Sequence, residues 1–167
     1  MAKWSFTSEG FTPVGVLDTA AFTDNGYMGL MGGSTTQRID VYEVYIGGLA
    51  TASAPTPTVL ARDSVIQATP TALTTAQSNA ALDPATAALA APQIAFTAST
   101  TKPQRAATLA KFALAFNAFG GIVRWNASPG SEMKILGNAA NLGEVSLSAY
   151  TGGTPGLVMA DILYETI

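Results

Sequence analysis

Four acids in the last third of the chain, Glu132, Glu144, Asp161 and Glu165, are the residues from which a glycoside-cleaving pair could be drawn. Two carboxyls a few ångströms apart are all that acid–base cleavage of a glycosidic bond requires. Their spacing along the chain favours no pair. A hard cation such as calcium could in principle use Asp18, Asp24 or Asp63, but these do not form the dense acidic loop such a site needs. A serine nucleophile would lack its base, because the chain has no histidine, and Ser–Lys chemistry stays formally open only through Lys102, Lys111 or Lys134. The absence of cysteine removes thiolate catalysis, disulfides and cysteine metal sites together.

Other polar features read as structural. Gly29, Gly32 and Gly33 surround Leu30 and Met31 without the following helix or basic residue of a phosphate cradle, and read as a loop with two anchoring side chains. Glu43, a lone acid between Tyr42 and Val44, reads as solvated or paired with arginine. Lys102 and Arg105 lie in a basic loop, either meeting a carboxylate or, on the simpler reading, solvated. No residue is assigned a catalytic, cofactor-binding or metal-ligating role, and the expectation is that the protein is not an enzyme.

The elements that would have to position any site are strands. The stretch from Gly121 to Gly137 reads as strand, tight turn, strand: Ile122–Trp125 is β-branched and aromatic, Ser128-Pro129-Gly130-Ser131 is a turn tetrad, and Met133 and Ile135 resume alternation. The expected product is a hairpin with Trp125 and Ile135 as core anchors. Leu142–Tyr150 and Leu157–Ile167 follow as further strands. Upstream, Thr36–Gly48 is the best strand, with a change of apolar phase between Val41 and Tyr42 that predicts a β-bulge or burial on both faces. Residues 50–58 read as a loop interrupted by Pro55 and Pro57, Val59–Arg62 as a short strand, Ile94 as the start of another, and Lys111–Gly121 as a strand with Phe112, Leu114 and Phe116 at period two. The Ala/Thr/Pro-rich tract 69–92 reads as an extended insertion, with a short helix capped by Asp83 and started by Pro84.

Length suits a single domain, 1–167, with residues 1–17 as an N-terminal arm. About eight to ten short strands separated by Gly/Pro turns, without helices alternating between them, predict an all-β, antiparallel β-sandwich. A jelly roll leads and an immunoglobulin-like sandwich is the alternative. Only 11% of residues are charged and the formal net charge is −3, so neither nucleic acid nor an anionic membrane is an expected partner. No apolar run approaches the roughly 20 residues that span a bilayer. The first residues carry no secretory h-region, which points to synthesis in a cytoplasm. A surface so poor in charge suits a protein partly covered by neighbours.

The block Ile122–Gly137 with Gly143–Leu147, and the Gly48–Ser64 region around Leu60-Ala61-Arg62-Asp63-Ser64, resemble small capsid decoration proteins of tailed bacteriophages. The resemblance implies a jelly-roll cement protein on the exterior of the assembled head. Such a protein is a homotrimer at three-fold positions, bound to the major capsid protein and stabilising the shell against internal DNA pressure. In that setting residues 1–17 and the 69–92 tract would contact the shell or a neighbouring subunit. A carbohydrate- or receptor-binding module of a phage tail or fibre is the competing expectation, using exposed aromatics such as Tyr27, Tyr42 or Tyr150. A major shell subunit is a third, weakened by the lack of a basic arm.

Overall fold

The computed structural model describes residues 2–72, 79–86 and 94–167. In chain order the strands are β1 (Ala2–Phe11), β2 (Gly15–Val16), β3 (Met28–Met31), β4 (Arg38–Gly48), β5 (Pro55–Val65), β6 (Ala68–Ala72) and β7 (Asn79–Ala81). They continue with β8 (Ile94–Thr101), β9 (Gln104–Arg105), β10 (Lys111–Asn117), β11 (Ile122–Asn126), β12 (Met133–Leu136), β13 (Glu144–Tyr150) and β14 (Val158–Thr166). Sheet A runs β11-β4-β14-β1-β7, with β12 also on β4; sheet B runs β10-β5-β13-β3-β8-β6, with β9 on β5 and β2 on β13. Every ladder is antiparallel except the two-residue β2–β13 pair. The fold is therefore an all-β antiparallel sandwich, and no helix occurs among the described residues.

Alternation builds the core. Val158, Ala160, Ile162 and Tyr164 of β14, and Trp4 and Phe6 of β1, face inward from sheet A. Leu60, Val145, Leu147, Met28 and Leu30 meet them from sheet B. In β4 the inward residues are Ile39 and Val41, then Val44 and Ile46, three apart at the break instead of two. The β14 register skips Tyr42, passing from Glu43 opposite Leu163 to Val41 opposite Tyr164, so the expected bulge sits at Tyr42.

The expected hairpin is not formed. The turn is there: Ser131 N–H donates to the Ser128 carbonyl at 2.8 Å and Gly130 takes φ +87°, as a type II turn with Pro129 leading requires. Yet β11 and β12 never pair with each other. Both lie along β4 in the same direction, Asn126 opposite Glu43 and Met133 opposite Val41, so residues 127–132 are an excursion from one interrupted strand, located beside the bulge. Two physical reasons apply: a type II turn splays flanking strands where I′ or II′ would zip them, and the eleven-residue β4 offers both segments a better partner.

Three further expectations change. Residues 2–11 are no free arm, since β1 pairs with β14 from Ala2 to Phe11 and buries Trp4 and Phe6. The loop expected around Pro55 and Pro57 is the first part of β5. Because β13 reaches only as far as Thr58, that part has β10 as its one neighbour, and prolines are tolerated there. The described ends of the 69–92 tract are strands of different sheets, β6 on β8 and β7 on β1. Asp83 caps a turn, its Oδ1 accepting the Ala85 N–H at 2.9 Å; residues 87–89, where the expected helix would continue, lie outside the described residues.

Candidate functional site

Two surfaces of the sandwich could carry function. The first is the outer face of sheet B. Glu144, Ser146 and Ser148 alternate with the core residues of β13 and by pattern should meet solvent, yet all three are buried. The segment following β1 folds back over them, and Phe22, Tyr27 and Met31 form a small second core with Val16 and Ile66. Backbone bonds from Thr19 N–H to the Arg105 carbonyl (2.9 Å) and from Phe22 N–H to the Pro103 carbonyl (3.1 Å) tie this cover to the loop before β10.

Arg105 is the centre of that layer. Its side chain is fully buried and donates to the Ser148 hydroxyl, to the carbonyls of Val16 and Ala149, and to Asp18 Oδ1 at 3.3 Å. Its guanidinium also lies 5.2 Å from the Phe22 ring centroid and 5.3 Å from that of Tyr150. The solvated reading of Lys102 and Arg105 is thus corrected: Lys102 pairs with Asp24 at 2.6 Å and Arg105 with Asp18. Asp18 also takes Lys111. Burial raises the Asp18 carboxyl, but the hydrogen bonds from Lys111 and Arg105 outweigh it and hold the group below its ordinary value.

The acids considered for chemistry are dispersed. Glu132 accepts the Gly130 N–H within its own turn; Asp161 accepts the Thr7 hydroxyl on the outer face of sheet A; Glu165 lies opposite Asp40 and Lys3 on the same sheet. Glu43 is paired with Arg124, as one of its two readings had it. Asp63 and Glu144, drawn from different candidate sets, are the two the fold brings together, buried on neighbouring strands. Sequence pattern missed their pairing and burial because a polar alternation in a strand reads as a wet face; small serines in place of long charged side chains were the available signal.

The lysines are occupied. Ser99-Thr100-Thr101-Lys102 and Ser131-Glu132-Met133-Lys134 both have Ser-x-x-Lys spacing. In neither pair, however, does the lysine bond to the serine hydroxyl: Lys102 reaches back only to the Ser99 carbonyl. The Ser99 hydroxyl bonds to Tyr27 and the Thr101 carbonyl while Lys102 turns to Asp24, and Lys134 pairs with Asp40 at 2.6 Å. No cluster of three or more acids, histidines or cysteines able to hold a metal occurs among the described residues. A depression of about 490 Å³ on the outer face of sheet B is lined mainly by Pro57, Val59, Ala113, Ala115, Lys111 and Tyr150; it is largely apolar, and its lysine is already bound to Asp18. Of the aromatics proposed for sugar stacking, Tyr27 is buried, Tyr42 lies under Lys3, and Tyr150 borders this depression.

The second surface is apolar and lies at one end of the sandwich. Ile122 and Met159 flank Gly47 in the sheet A register, and Leu49 donates its N–H to the Leu157 carbonyl at 2.9 Å. Phe119 sits in the turn whose Ala118 and Gly121 carbonyls receive the Ala50 and Gly48 N–H groups. Ile122 is 77% exposed and Phe119 60%, with Leu49, Leu157 and Met159 between 40% and 43%. Trp125, expected in the core, packs half-buried against it and stacks on Phe112 with ring centroids 4.9 Å apart; Ile135 is buried as expected.

Compared with known proteins, the chain matches no family model, no curated protein and no solved structure.

Proposed function

We propose that this chain is a structural virion protein that binds the outside of an assembled phage head, through the major capsid protein, and stabilises the shell. The observation that carries the binding half of this reading is the apolar end formed by Leu49, Phe119, Ile122, Leu157 and Met159. Five large apolar side chains gathered at one end of a weakly charged molecule mark a surface that is covered in use. The capsid half rests on the resemblance of the Ile122–Gly137 and Gly143–Leu147 block to decoration proteins.

The wiring supports the same reading. With β11 and β12 counted as one and β2, β6, β7, β8 and β9 left aside, the remaining eight strands numbered along the chain run 6-3-8-1 in sheet A and 5-4-7-2 in sheet B. That order agrees with the double Greek key of a jelly roll, the topology this reading expects and an architecture of viral shell and lectin domains. Fold does not fix function, so the lectin-like reading is kept as the second, favoured by Tyr150 beside the 490 Å³ depression. In the first reading the protein is a non-enzymatic homotrimer, made in the host cytoplasm and carried on the head exterior, without nucleic-acid or membrane partners.

Co-sedimentation of the purified protein with expanded empty heads tests the proposal. Saturable pelleting is expected with heads and none without them. A glycan array separates the two readings: the head-binding protein should bind no glycan, whereas reproducible sugar binding that Tyr150→Ala abolishes would favour the second.

A further inference from the structure

Asp63 and Glu144 lie on adjacent strands, and the register that sets Val145 opposite Arg62 sets Glu144 opposite Asp63, both on the covered face of sheet B. Glu144 uses both oxygens on Gln67: Oε2 accepts the backbone N–H at 2.8 Å and Oε1 the side-chain amide at 3.1 Å. Asp63 Oδ1 accepts the Ser146 hydroxyl at 2.8 Å. Asp63 Oδ2 is buried with no N–H or O–H donor among the described residues, and the cross-strand register sets it beside the Glu144 carboxyl.

Arg105 and Arg62 lie close enough to pull the Asp63 carboxyl down in part, but no cation bonds to either acid. Arg105, opposite Asp63 on β9, spends its N–H groups on Asp18, Ser148, Ala149 and Val16. Arg62 turns to the carbonyls of Lys134 and Leu142 at the end of the sandwich. The cover contributes Tyr27 and Asp24, which add no positive charge; Asp24 keeps Lys102 for itself. Met31, beside Glu144 on β3, is apolar. Two ionised carboxylates side by side under such a cover would be offset only in part by the charges of Arg105 and Arg62, neither of which bonds to them, and buried charge without a bonded partner is among the most costly features a fold can carry.

The geometry points to one proton held jointly by Asp63 and Glu144, which locks residues 12–27 and Gln67 onto sheet B and releases them as the pH rises. An O–H lying between the carboxyls supplies the contact that Asp63 Oδ2 otherwise lacks, whichever acid carries it. Burial is the main cause that pushes both groups well above the carboxylate range, and their mutual repulsion adds to it for Glu144. With the folded-state value raised above the unfolded one, the stabilisation is complete below the ordinary carboxylate range. It is lost progressively as the pH climbs from there through the raised value.

Thermal unfolding of the whole chain across pH, together with infrared spectroscopy, tests the lock. Within that window the wild-type Tm should fall by about 3–5 °C per pH unit, and the Gln67 amide should lose protection, exchanging faster than base catalysis alone accounts for as the pH rises. Asp63→Asn keeps a donor and removes the proton, so its Tm should stay level where the wild type declines; Glu144→Gln should do the same. At neutral pH wild type should show the infrared band of a protonated carboxylic acid, and the two variants should not. A wild-type spectrum without that band overturns the proposal even if neither variant folds. So does a Tm decline that persists unchanged in Asp63→Asn.

Discussion

Arg105 joins three parts of the chain through one side chain: the Val16–Asp18 segment, β13 and its own two-residue strand β9. Replacing it with Met keeps the volume but removes the donors to Ser148 and to the Val16 and Ala149 carbonyls, and leaves Asp18 with Lys111 alone. Breaking a buried, hydrogen-bonded ion pair costs about 3 kcal/mol or more, so Arg105→Met should lower the urea midpoint by that equivalent at unchanged m-value. An acid limb is expected as well. Asp18 and Glu43 are raised by burial but held below their ordinary values overall, Asp18 by Lys111 and Arg105, Glu43 by Tyr45 and Arg124. The stability they lend is therefore present above the ordinary carboxylate range and lost as pH falls through the depressed values. The Tm should drop below about pH 4, a limb distinct from the loss on the alkaline side that Asp63 and Glu144 produce.

Among the elements, the strands with clean alternation were legible, and so was the bulge of β4. The apolar phase jump from Val41 to Val44 is a local property of the chain, and the β14 register confirms it at Tyr42. What could not be read is which strand pairs with which. Ser128–Ser131 is a true turn, but the partner of both its flanks is β4, 75 to 98 residues earlier in the chain, and no local signal reports that. The same holds for the buried polar layer, since the burial of Glu144 and Asp63 depends on residues 12–27 folding back, a long-range event. Two glycines with positive φ separate turn geometry from close packing. Gly130 (φ +87°) has nothing within 4 Å of an added Cβ, so Gly130→Ala should cost about 1–2 kcal/mol of backbone strain. Gly137 (φ +69°) adds a clash at 2.4 Å with the Thr35 carbonyl, and Gly137→Ala should cost about 3 kcal/mol. Denaturant melts of the two variants would check the order.

At the scale of the whole molecule the outer face of sheet A is divided. One set of cross-strand rows is charged, Lys134–Asp40–Glu165–Lys3 and Arg124–Tyr45–Asp161, while the row at the end, Ile122–Gly47–Met159, is apolar and continues into Leu49, Leu157 and Phe119. This division suits a molecule that keeps one end against a partner and the charged rows toward water. A homotrimeric head protein should show three times the chain mass by mass photometry at micromolar concentration, and a stable monomer would count against that assembly. The central claim is that the apolar end grips a phage head. Its most direct test is co-sedimentation with expanded empty heads of wild type beside the double variant Phe119→Ser, Ile122→Thr, whose exposed positions should leave Tm within a few degrees of wild type. The account predicts saturable pelleting of wild type and at least a tenfold loss of affinity, about 1.4 kcal/mol, in the double variant. Pelleting that is absent in wild type, or equal in both proteins, would contradict it.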